Sequence, residues 1–182
     1  AAEAMARFQG PEADALVVKA LNDKDPVVRV HLVRQLRPRN IPGAIPLLIR
    51  MIGTSHEEVR QALRESLPEF TVRHFVSNFD SLPEEWINTV GSVVRKIDVE
   101  AGAMLQKELT CRSPVRRRRA VQAAGAMGLV RELEQTVIGL LSDEDHRVRI
   151  EAAKALADCG TKPTWEALRD ALLDRSVMVQ EA

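Results

Sequence analysis

The chain has 182 residues, 45% of them hydrophobic and 29% charged, which supplies enough apolar surface for a packed core and argues against a disordered chain. Twenty-six basic residues cancel 26 acidic ones, so no global field draws the protein to nucleic acid or to an anionic membrane. Four Phe, two Trp and no Tyr favour thin helical layers over an aromatic-rich sandwich, and two cysteines, Cys111 and Cys159, are too few for a disulfide framework.

Buried thiols fit that cysteine usage, as does a reducing compartment, which favours the cytoplasm. No run reaches the roughly 18 apolar residues of a membrane span, and no signal pattern opens the chain.

In chain order, Ala1-Ala2-Glu3-Ala4-Met5 aligns with Ala152-Ala153-Lys154-Ala155-Leu156 and reads as the middle of a helix. Ala15 to Leu21 is apolar at three-to-four spacing. Asp25-Pro26-Val27-Val28-Arg29 then opens a second helix near 26–38. Asp25 at its N-cap can accept from an orphan amide, and Pro26 gives up a donor that had no partner. Val28, Leu32, Val33 and Leu36 share one face, and Asn40 stands where a left-handed residue closes a helix.

The pattern recurs with Ile45 to Ile52 and a helix near 56–67 opened by His56-Glu57-Glu58-Val59-Arg60. Residues 68–111 are irregular, and Phe70, Phe75, Phe79 and Trp86 concentrate there as candidates to fill a joint. Ser81 and Glu84 have capping-box spacing and predict a helix near 82–97. Ser113-Pro114-Val115-Arg116-Arg117 opens a helix near 114–127, closed at Gly128. Leu133 to Leu141 precedes a helix near 146–159, opened by Asp145-His146-Arg147-Val148-Arg149 and closed at Gly160. Trp165 to Leu173 and Ser176-Val177-Met178-Val179-Gln180 begin a further pair.

Val28, Val59, Val148 and Val179 are separated by 31, 89 and 31 residues, and 89 is about three periods of 30, so two units lie in the gap. A unit of two short helices cannot bury both its faces alone, so neighbours must stack. The expectation is a single array over 1–182, about five complete pairs with partial repeats at both ends, and so a piece of a longer protein.

The Asp-x-x-Val-Arg openings at Asp25 and Asp145, the Ala155 to Gly160 ending and Ala44-Ile45-Pro46-Leu47-Leu48 resemble HEAT repeats. The likeness is to the short bacterial variety, also seen in phycobilin lyase subunits. The resemblance implies an all-α, armadillo-like fold, a right-handed α-solenoid of antiparallel helix pairs whose second helices line a concave face.

Chemistry is sparse in this pattern. His31, His56, His74 and His146 are scattered without metal-ligand spacing, and no nucleophile elbow, P-loop or dinucleotide-binding glycine pattern occurs. Glu57-Glu58 and Glu84-Glu85 lie in first helical turns, where negative charge suits the helix dipole. No catalytic residue, metal or cofactor is therefore expected, and the chain reads as a scaffold and not an enzyme.

Asp25, Arg29, Arg60, Asp145 and Arg149, with Arg116 or Arg117, form a regular polar column. Each Arg could pair with its own unit's cap or with the neighbour's, giving a structural ladder, and in the proteins it resembles this position is usually structural. By repeat equivalence, His31, Arg34, Glu65, Arg118, Arg119, Gln122, Glu151 and Lys154 share the exposed stripe of second helices. Arg118 and Arg119 should project from it. Its mixed charge points to a protein partner or another domain of the same chain. The alternatives are a nucleic-acid-binding module using Arg116-Arg117-Arg118-Arg119 and a chromophore-lyase-like subunit, for which no Cys, Tyr or His array is present.

Overall fold

Capping chemistry explains where the helices begin. Helix α1, Pro11–Ala20, is followed by α2, Pro26–Leu36, whose first turn is held by the Asp25 carboxylate accepting from the Val27 amide at 2.8 Å. The same geometry recurs much later, where Asp145 accepts from the Arg147 amide at 2.8 Å. Stops are equally local. Asn40, Gly128 and Gly160 all adopt the left-handed conformation, with φ of 53°, 63° and 66°. At the first two, the following amide reaches back five residues, Ile41 to the Leu36 carbonyl and Leu129 to the Ala124 carbonyl, which satisfies carbonyls the ending helix leaves open.

The computed structural model describes residues 8–182, every regular element of which is helical. Ala1 to Met5, read from the sequence as mid-helix, lie outside the described residues. Two compact units result, one ending at Thr71 and one starting at Val72.

In the first unit, α1 and α2 are followed by α3, Ala44–Arg50, α4, Glu57–Ser66, and a 3-10 turn, Pro68–Phe70. Helix α2 packs on both α1 and α4. Leu32, Val33 and Leu36 of α2 and Val59, Ala62 and Leu63 of α4 are buried, which is why apolar residues recur at three-to-four spacing in both. Val17, Leu48 and Leu67 complete the fully enclosed set.

The second unit comprises α5, Val72–Ser77, a 3-10 turn, Phe79–Ser81, α6, Glu84–Ile97, α7, Ala101–Leu109, α8, Pro114–Ala126, α9, Glu134–Gly139, a 3-10 turn, Leu140–Ser142, α10, His146–Leu156, α11, Lys162–Ala171, and α12, Val177–Gln180. Helix α8 is its hub, touching α5, α6, α7 and α10. Small side chains make that possible, since Ala120, Ala123 and Ala124 of α8 are fully buried, as is Ala152 of α10. The closest approach is at Gly91 of α6, where a Cβ would sit 2.7 Å from the Ala126 carbonyl oxygen, so only glycine lets these backbones meet.

Three local expectations are corrected. Helix α6 starts at Glu84 and not at Ser81, because Ser81 ends a 3-10 turn and Pro83 occupies the N-cap without a side-chain hydrogen bond. The apolar stretch from Leu133 is not one helix, since α9 tightens into the 3-10 turn at Leu140. Of the four aromatic residues expected to fill a joint, Phe75 and Phe79 do so edge to face at 5.4 Å, Phe70 is half-buried, and Trp86 stands in solvent.

Candidate functional site

The arginine column is built by the second turn of each second helix. Arg149 lies in the interior and donates through Nε and Nη2 to the two oxygens of Asp174 at 2.8 and 3.0 Å, while Nη1 donates to the carbonyls of Asp143 and Glu144. Arg117 repeats this at the preceding unit, donating to both Asp143 oxygens at 2.7 and 2.8 Å and to the carbonyls of Cys111 and Arg112. Each acceptor carboxylate stands two residues before the next N-cap and also accepts an amide of its own loop, from Asp145 and Ser176 respectively. One Asp thus shapes a loop and ties down the Arg of the unit before it.

Protonation follows from these contacts. Arg149 hydrogen bonds hold the Asp174 carboxyl below the ordinary aspartate range. Burial works against ionisation of Asp143, but the Arg117 guanidinium and the Asp145 amide outweigh it, so this carboxyl is lowered too. Burial pushes the Cys159 thiol up, which keeps it protonated and unreactive.

Asp25 and Asp145, placed in the ladder from the sequence, cap their own helices and do not receive Arg29 or Arg149. Each guanidinium instead bridges, with Nη1 on the carbonyls just before its own cap and its other donors on a carboxylate of the next repeat. In the first unit Arg29 donates from Nη2 to Thr54 Oγ1 at 3.1 Å, with its Nε enclosed and unpartnered. Arg60 turns to Glu57 and to the Thr54 carbonyl. The signal that identifies the true acceptors is legible in retrospect: Thr54, Asp143 and Asp174 all lie two residues before an N-cap.

The run Arg116 to Arg119 is not an open basic patch. Arg116 grips Glu108 through two donors at 2.9 and 2.6 Å. Arg117 is buried on Asp143. Arg118 and Arg119, expected to project freely, are half-buried and converge on Asp80 of the turn after α5. Asp80 is held ionised below its usual range by the Arg119 hydrogen bond.

The stripe residues divide between the units. Arg34 and Glu65 meet in the first, at 2.8 and 3.1 Å, with Gln61 donating to Glu65 from the other side, and His31 is half-buried. In the second, Gln122, Glu151 and Lys154 come together on a groove of about 340 Å³ between α6, α8 and α10. Phe79, Ile87 and Val121 give it apolar walls. Glu151 and Lys154 engage no side chain or backbone partner among the described residues, and the Gln122 amide oxygen is enclosed without a donor.

Among the described residues no group of three or more His, Cys, Asp or Glu could hold a metal ion, and no helix is long and apolar enough to cross a membrane.

No curated protein matches the chain. Among solved structures, human deoxyhypusine hydroxylase in complex with glycerol is similar over 99% of this chain and 85% of its own, at 19% identity and a TM-score of 0.40. An engineered protein is similar over 99% and 83%, at 18% identity and a TM-score of 0.44. The first stands as the correction to the expectation that the chain is no enzyme, the similar structure being that of a hydroxylase. Likeness at this level carries no substrate or metal across.

The model of the HEAT repeats family matches residues 1–68 and 103–182, leaving between them the stretch that holds α5 and α6. HEAT repeats generally mediate protein interactions. Helical throughout its described elements and matched over most of its length, the chain belongs to the HEAT repeats family, whose units build helical solenoids.

Proposed function

We propose that the protein binds a protein partner along the exposed stripe of its second helices, and that the groove between α6, α8 and α10 is the principal docking point. The observation that carries this reading is the set of unsatisfied polar groups on that groove. The Gln122 amide oxygen, enclosed and without a donor in the free chain, would cost on the order of 1–3 kcal/mol, and it reaches a partner's N–H once the half-buried side chain turns outward. Lys154 and Glu151 offer both charge signs beside an apolar wall, which suits a peptide segment better than a uniformly anionic duplex. Helices already ordered add little entropic cost on binding.

The arginine run supports a nucleic-acid role less well, since its four guanidiniums face Glu108, Asp143 and Asp80. Reversing Arg118 and Arg119 to Glu would set three carboxylates together at Asp80 and disturb the fold itself. The test belongs at the groove. Glu151→Lys with Lys154→Glu is expected to abolish co-purification of partners while the helical spectrum stays unchanged. Retention of the same partners by the folded double variant would remove the groove as the docking point.

A further inference from the structure

A second concavity, of about 480 Å³, opens between α5, α7 and α8, and its chemistry differs from that of the groove. Four cationic side chains line it, Arg73, Lys107, Arg116 and Arg119, against the single carboxylate of Glu108. Two of the four are already matched: Arg116 binds Glu108 through two hydrogen bonds, and Arg119 binds Asp80. Arg73 and Lys107 have no ion pair or side-chain hydrogen bond among the described residues. The pocket therefore retains two positive charges with no counterpart, in a chain whose total charge is zero. Val76 and Met104 form an apolar wall beside them.

We infer that this pocket binds a phosphate monoester, a dianion whose charge matches the two free cations and whose oxygens match a guanidinium fork beside an ammonium. Two unmatched cations within one pocket suit a single phosphate group better than a polymer backbone. The group arrives either on a phosphorylated side chain of a partner or as a small phosphate-bearing molecule. This site is separate from the groove and does not depend on the docking reading.

Isothermal titration of the full chain at low salt tests the assignment, with two probes: inorganic phosphate and a five-residue peptide carrying a central phosphoserine. Saturable binding of at least one probe is expected, weakening as salt rises. Arg73→Ala with Lys107→Ala is expected to weaken it about tenfold or more, the loss of charge-assisted hydrogen bonds. Both side chains are exposed, so the variant keeps its fold, and Arg147→Ala, on an exposed position outside the pocket, is the control that leaves binding unchanged. Tighter binding of the phosphopeptide identifies a partner's side chain as the source, and equal binding identifies a free phosphate compound. No saturable binding of either probe, or binding that the double variant leaves intact, overturns the inference.

Discussion

The two units furnish the same repeat positions differently. In the second, the column arginine meets a carboxylate. Arg149 and Asp174 are only 4% and 11% exposed, and their pairing is two-pronged. In the first, Arg29 finds the Thr54 hydroxyl and leaves its Nε without a partner. The stripe is reversed. Arg34 and Glu65, 51% and 44% exposed, satisfy each other in the first unit, whereas Gln122, Glu151 and Lys154 stand open in the second. A repeat position therefore dictates which way a side chain points but not what it meets, and the unit whose ladder is closed is the one that leaves Glu151 and Lys154 of the stripe unpaired.

Truncation sharpens this contrast most. Arg149→Ala leaves Asp174 enclosed and unpaired and strips donors from the Asp143 and Glu144 carbonyls, so a loss of about 3 kcal/mol is expected. Arg29→Ala removes one hydrogen bond to a hydroxyl and should cost about 1 kcal/mol or less. Denaturant titration of both variants measures the difference, and equal losses would break the comparison.

A smaller effect runs in the opposite direction. Thr54→Asp places in the first unit the residue that Asp143 and Asp174 supply in the second, giving Arg29 a carboxylate and keeping an acceptor for the His56 amide. A gain of about 1 kcal/mol is expected as a higher denaturation midpoint. A lower midpoint would mean that the loop before α4 cannot shape itself around a carboxylate.

The smallest expected effect is in pH. Asp143 and Asp174 have lowered folded-state pKa values, so their contribution is complete above the ordinary aspartate value of 3.8 and is lost as pH falls below it towards the folded values. Asp174→Asn should flatten the stability-pH profile in that acid window and leave its slope at neutral pH unchanged. An identical acid limb in the variant would show that Asp174 titrates alike in folded and unfolded chains.

Much of this architecture was legible before any coordinates. Asp25 and Asp145 announced helix starts because an Asp-Pro or Asp-His opening solves a local problem of orphan amides, and Asn40, Gly128 and Gly160 announced stops for the matching reason at carbonyls. The start at Glu84 was misread because Ser81 had the right spacing for a capping box while the chain spent those residues on a 3-10 turn. The groove between α6, α8 and α10 was half visible: equivalence of second helices placed Gln122, Glu151 and Lys154 on one stripe, but not Phe79 beside them.

By itself, the sequence determined the second helices outside the irregular stretch 68–111, their period of about thirty residues and the face each buries, because hydrophobic spacing and capping act over a few neighbouring residues, but not the helices Val72–Ser77 and Ala101–Leu109 within that stretch. Only the tertiary structure decided which charge meets which. Arg117 finds Asp143 across 26 positions, Arg149 finds Asp174 across 25, and Arg119 finds Asp80 across 39. Those separations are set by how the helices of the second unit pack on one another, and the strength of an ion pair depends on distance and enclosure, neither of which spacing along a chain contains.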